Sequence, residues 1–207
     1  MKKLKKMPQP NDSFNCRHLG DSPNDEQDIL NFTVRDEKGL GLLRYIRYQA
    51  FPDEDAGTMR TYIVRDNVTA EMVCFFSLKA GLISLNERDI EVVDVQTGEV
   101  EHRRVFDTCP GIELANFAVN QTYIRRHPEL KGVGFIIFRL YIMPIVQRAA
   151  EDIGVKALYL YALPYEELVA RYQHYGFARL EEQYEKEIHR RLKPKYDDSC
   201  IFMYRML

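Results

Sequence analysis

The stretch of this 207-residue chain whose residue types and spacing could do chemistry runs from Ile112 to Ile136. Ile112-Glu113-Leu114-Ala115-Asn116-Phe117-Ala118-Val119 reads as a strand with one carboxylate, Glu113, among apolar neighbours. After a polar loop, Lys131-Gly132-Val133-Gly134-Phe135-Ile136 opens a long apolar helix. A strand, a glycine loop and a helix N-terminus together make an anion site. Glycine lets the backbone approach a phosphate closely, and the first helical N–H groups point at it with the positive end of the helix dipole behind them. The same glycines suit a plain tight turn into a helix, so the pattern alone leaves both readings open. Two other phosphate cradles are absent: there is no G-x-x-x-x-G-K-[ST], and no G-x-G-x-x-G with an acidic residue about 20 positions later. Glu113 is either a functional carboxylate, which burial by Phe117 and its neighbours would favour by raising its pKa, or a surface-facing strand glutamate or core salt bridge.

The elements that must position these residues follow from the hydrophobic periods. Helices are expected over 24–36 and 40–50, broken at Gly39, and a β-hairpin over 61–65 and 71–79. A second, highly charged hairpin over 90–95 and 99–106 turns at Thr97-Gly98 and reads as a surface insertion near 86–110. The strand at 112–119 is followed by a helix over 134–152, which Pro144 should kink, then a strand over 155–161 and a helix over 165–174. Two last strands are expected at 177–188 and 199–206, separated by a loop containing Pro194. The sum is an α/β or α+β fold with mixed strand directions: a flexible start over 1–12, then one domain over 13–207.

The glycine region resembles the acetyl-CoA signature of the GNAT superfamily of N-acetyltransferases, a strand followed by [QR]-x-x-G-x-[GA] and a helix. Lys131, Gly134 and Ile136 occupy the three defined positions, with lysine and isoleucine as departures and a longer loop over 120–130. Downstream, Arg171-Tyr172-Gln173-His174-Tyr175-Gly176-Phe177 resembles the family's F-Y-x-x-x-G-F segment. Phe14-Asn15-Cys16, the helix pair, Tyr62-Ile63-Val64 and Phe75-Phe76-Ser77-Leu78 resemble the early part of GNAT proteins related to acetylating toxins.

The resemblance implies a mixed, largely antiparallel twisted sheet with a central parallel strand pair, flanked by helices. It implies acetyl-CoA as co-substrate and an acyltransferase moving its acetyl group to a primary amine by direct attack in a ternary complex. Glu113 would take the amine's proton and Tyr172 would return one to the leaving thiolate. Phe117, Ala118 and Val119 would offer backbone groups to the pantetheine and an oxyanion-type donor. Lys131, Gly132, Val133, Gly134, Phe135 and Ile136 would hold the diphosphate. Arg125, Arg126 and His127 could meet the 3′-phosphate, although a solvated loop is the simpler account of the arginine pair. Within the same fold an aminoacyl-tRNA acceptor is an alternative; Arg103, Arg104, His189, Arg190, Arg191, Lys193 and Lys195 are its candidate contacts. A non-catalytic CoA-binding module is another.

Composition excludes little further. With 45% hydrophobic residues and a net charge of -2, the chain can bury a core and has no global basic field. Arg139 and Arg148 interrupt the most apolar region, arguing against a membrane span. The basic start runs into Pro8 and Pro10 rather than an apolar segment, and Cys16, Cys74, Cys109 and Cys200 form no C-x-x-C pair; both features point to the cytoplasm. Cys109 as an acyl carrier lacks a local histidine. Asp53, Glu54 and Asp55 read as an acceptor-attracting or a merely solvated loop. The five histidines show no metal-ligand spacing, the expected acceptor is a small-molecule or peptide amine, and a homodimer is left open.

Overall fold

The structure, a computed structural model, describes residues 13–130, 132–192 and 199–207, so the start over 1–12 lies outside the described residues. The sheet is mixed and largely antiparallel with flanking helices. The chain gathers into two compact units, one holding the residues up to Ala80 with Glu113–Ile153, the other Gly81–Ile112 with Gly154–Leu207.

In the first unit β1 (Phe14–His18) pairs antiparallel with β2 (Arg60–Asp66), and β2 with β3 (Met72–Val93); the closing stretch of β4 (Val100–Val119) follows β3. Alternation along the strands sends Ile63 and Phe75 into one cluster with Phe32, Tyr45 and Ile46, contributed by α1 (Asp25–Asn31), its cap and α2 (Leu40–Tyr48). α3 (Ala50–Asp55) follows α2 at once, and Arg47 closes the end of α1 by donating to the carbonyls of Leu30 and Phe32. After β4 come α4 (Gln121–Arg126), α5 (Val133–Ile137), a π turn (Phe138–Ile142) and α6 (Met143–Ile153). Pro144 has no N–H, and its ring would strike the carbonyl four residues back; one widened turn ahead of it lets the helix continue. The expected kink therefore takes the form of a π turn. The helix spanning Val133–Ile153 has the length and composition to cross a membrane, yet Val133, Ile137, Phe138, Ile142 and Val146 are buried inside the protein.

Both hairpin turns use one sequence device. In Asp66-Asn67-Val68-Thr69-Ala70-Glu71 the Asp66 carboxylate accepts from the N–H groups of Val68 and Thr69, and Asp66 N–H donates to the Glu71 carbonyl. Asp94-Val95-Gln96-Thr97-Gly98-Glu99 repeats each of these bonds. The left-handed position is filled by Gly98 in one turn and by Ala70, φ 59°, in the other.

In the second unit β3 continues to Val93 and β4 begins at Val100, so the expected charged hairpin is the far end of the same two strands. The first stretch of β4 is followed by β5 (Ala157–Ala162), the parallel neighbour; Lys156 N–H donates to the Pro110 carbonyl where they meet. β7 (Ile201–Met206) pairs antiparallel with β5, and β6 (Ala178–Arg179) with β7. The Tyr159 ring reaches over β4 to β3: a Cβ at Gly111 would stand 3.1 Å from its ring, and one at Gly81 would collide with its hydroxyl.

The strand expected over 177–188 is a correction. Only Ala178–Arg179 is extended, and Glu182–Leu192 is helix α8. Tyr184 and Ile188 lie four apart, Glu182 pairs with Lys186 at 2.6 Å, and Glu187 with Arg190 at 2.7 Å, which is helical spacing.

Candidate active site

β4 enters the site with its end fixed by Asn120. The Asn120 amide donates to the Met72 carbonyl at 2.8 Å, while its oxygen accepts from the N–H groups of Thr33 and Thr122 and from the Thr33 hydroxyl. One side chain thus caps α4, holds the segment after α1 and ties the strand end to β3. A cap residue directly after an apolar strand was the available sequence signal for Asn120, and it was missed.

Upstream, Glu113 is 8% exposed and its carboxylate stands 3.7 Å from the Lys79 ammonium. The competing reading, a salt-bridged strand glutamate, is therefore present in the same residue: the carboxylate is buried and also paired. Nearby in this unit the buried hydroxyls of Tyr45, Thr61 and Ser77 form a chain with 3.1 and 3.0 Å links. The Met59 sulfur accepts from Tyr45 and from the Asn116 amide. Ala118 is buried, and Phe117 and Val119 are half-buried.

Gly132 has φ 80° and caps α5, a conformation that favours glycine. Val133 is buried in the core, whereas Gly134, Phe135 and Ile136 are partly exposed. The N–H groups of Phe135 and Ile136 both return to the Gly132 carbonyl. Lys131 lies outside the described residues. Glu113, the 117–119 stretch and the 132–136 helix start all belong to the first unit.

Tyr172 belongs to the second unit, on α7 (Glu166–His174). Gly176, φ 90°, ends this helix: Phe177 N–H donates to the Tyr172 carbonyl and Gly176 N–H to that of Gln173. The Tyr172 and Phe177 rings meet at 5.7 Å. These bonds and this contact are a Schellman motif, so the Tyr-x-x-x-Gly-Phe spacing is also the signature of a glycine-capped helix. Burial pushes the Tyr172 phenol above its ordinary value, and the hydroxyl is a proton donor rather than a base at neutral pH.

Other candidates are spoken for. Arg126 and His127 both engage Glu71. Asp53 accepts from Gln49 and Thr58, and Glu54 from Arg60 and the Thr61 N–H. Burial raises the Cys109 thiol despite Lys156, which disfavours a thiolate nucleophile. Arg103 pairs with Glu101, Arg104 with Asp89 and Arg190 with Glu187, while Lys193 and Lys195 lie outside the described residues. Among the described residues no group of three or more His, Cys, Asp or Glu side chains could hold a metal ion.

No family model and no curated protein matches the sequence. Solved structures do match in fold. A tyrosine-to-phenylalanine mutant of the AtaT toxin aligns with a TM-score of 0.62 at 17% identity, covering 97% of this chain and 94% of that one. AtaTR bound with AcCoA aligns with a TM-score of 0.57 at 16% identity over 93% of each chain. AtaT complexed with acetyl-methionyl-tRNAfMet gives 0.59 at 16% identity, over 91% of this chain and 93% of that one. The chain has the GNAT fold. In the GNAT fold of this chain, the Ile112–Ile136 segment that carried the resemblance supplies a strand, an asparagine cap and a left-handed glycine at a helix start. At these identities the likeness concerns the path of the chain.

Proposed function

We propose that this protein is an acetyl-CoA-dependent N-acetyltransferase that moves the acetyl group to a primary amine by direct attack in a ternary complex. The observation that carries the reading is the buried Glu113 on the strand that runs, through the Asn120 cap, towards the left-handed Gly132 at a helix start. Glu113 takes a proton from the acceptor ammonium, directly or through water, so that the amine can attack. The backbone at Phe117, Ala118 and Val119 receives the pantetheine and polarises the thioester carbonyl. Lys131, Gly132, Val133, Gly134, Phe135 and Ile136 receive the diphosphate, and Tyr172, kept protonated by burial, supplies the proton to the departing thiolate. In this reading 13–207 acts as one domain, in the cytoplasm.

The test pairs calorimetric titration of coenzyme A with acetyl-CoA consumption across a panel of amines, peptides and charged tRNA. Binding and acceptor-dependent turnover are expected from wild type, and a Glu113→Gln, Tyr172→Phe double variant should bind without turning over. Equal turnover by that variant removes the mechanism; no affinity for coenzyme A in folded wild type removes the assignment.

A charged tRNA acceptor is a second reading, favoured by the likeness to AtaT complexed with acetyl-methionyl-tRNAfMet. The net charge of -2 and the ion-paired arginines weigh against it. Loss of tRNA binding on raising salt is its minimum signature.

A further inference from the structure

A dense cluster of titratable groups stands where the β2–β3 turn meets the loop after α4. His127 is engaged through both ring nitrogens, Nε2 with Glu71 at 3.1 Å and Nδ1 with Glu129 at 3.3 Å. An imidazole donates through both nitrogens only when protonated, and both partners here are carboxylates. Arg126 shares Glu71 with the ring. From the other side the Tyr123 ring meets the imidazole at 4.4 Å, and its hydroxyl donates to Asp66 at 2.6 Å. The bond to Glu71, assisted by Glu129, holds the imidazole above its ordinary pKa although its partial burial acts the other way.

The cluster sits at the root of the glycine loop. Leu130 N–H donates to the His127 carbonyl at 3.0 Å, Val133 N–H to the Leu130 carbonyl at 3.3 Å, and Phe135 N–H to the Gly132 carbonyl at 2.9 Å. A relay of turns thus runs from the clamped residue to the helix start, and Glu129 lies inside the first turn. From this geometry we infer that Glu71, His127 and Glu129 form a clamp that positions the glycine loop for the phosphates of an acyl-CoA, closed when His127 is protonated and loosened when it is neutral. The inference rests on reading that helix start as the diphosphate end of the acyl-CoA site. His127 is a positioning residue and touches no ligand itself. Charge acts in the same direction as geometry. Loss of the proton removes one positive charge from beside the carboxylates of Glu71, Glu129 and Asp66, a change that makes the local field less favourable to a diphosphate.

The test uses the full chain and coenzyme A. Affinity is measured by calorimetry from about pH 6 to about pH 9 for wild type, His127→Gln and Glu129→Gln. In parallel, the amide shifts of Val133, Gly134 and Phe135 are followed by NMR without ligand. Wild-type affinity should weaken by roughly fivefold or more across the imidazole titration, with the loop amides moving in step. His127→Gln should retain only the slope contributed by the coenzyme's own phosphates. Glu129→Gln, which removes one carboxylate charge, should move the midpoint to lower pH. Matching pH slopes in wild type and His127→Gln, or loop amides indifferent to the imidazole, overturn the clamp while leaving the acyl-CoA reading intact. If folded wild type binds no coenzyme A at any pH, the acyl-CoA reading and the clamp's role in binding both fall. The ligand-free amide titration then shows separately whether His127 orders the loop.

Discussion

Glu113 is asked to be a base while paired with Lys79 at 3.7 Å, and the two demands separate experimentally. Glu113→Gln should lower kcat by about 10²- to 10⁴-fold with little change in the KM for acetyl-CoA. A residue that only balanced Lys79 would instead show its loss in thermal stability. Tyr172→Phe keeps the ring on Phe177 and so the helix cap, so a loss of roughly 10²-fold in turnover at unchanged Tm would assign the role to the hydroxyl. Asn120 belongs to a different category, since its amide satisfies three segments at once. Asn120→Ala should cost about 2 to 4 kcal/mol in denaturant unfolding, with buried carbonyl and N–H groups left unpaired.

The twin hairpin turns give the cleanest experiment on an element. Ala70 holds φ 59° where the matching turn has Gly98, so Ala70→Gly should stabilise by up to about 1 kcal/mol and Gly98→Ala should destabilise by about as much. Urea midpoints of the two variants, moving in opposite directions, check this. Gly81→Ala should be more severe than Gly98→Ala, because its methyl meets the Tyr159 hydroxyl within the packed unit rather than open space. The same contrast explains what could be read at this scale. Periodicity located β2, α2 and α7 to within a few residues because each alternates buried and exposed positions, and β5 stood out as a near-continuous apolar run. It failed at 177–188, where a buried Glu185, bonded to Phe202 N–H and Arg179, interrupts the apolar signal of α8.

Groups of opposite sign contribute to the pH dependence of stability. The His127 value is raised on folding, so its contribution is complete below the ordinary imidazole pKa of about 6.5 and is lost as pH rises through the folded value. Glu71 and Asp66 are depressed: burial raises each, but hydrogen bonds outweigh it, from His127 and Arg126 for Glu71 and from Tyr123 and backbone N–H groups for Asp66. Their contribution is present above the ordinary carboxylate range and lost as pH falls through their lowered values. Thermal melts should therefore decline on both sides of a weakly acidic optimum, with the alkaline decline reduced in His127→Gln.

The sequence by itself determined the order of most elements and the likeness carried by Ile112–Ile136, because hydrophobic period, turn glycines and strand composition are local properties that survive without a partner. Tertiary structure decided what those residues face. It placed Lys79 beside Glu113 and Glu71 beside His127, pairs separated by tens of positions, and it closed the α1 end with Arg47 and tied the Asn120 amide to the Met72 carbonyl. Pairing across a sheet and capping across a loop depend on register and distance, which no periodicity encodes.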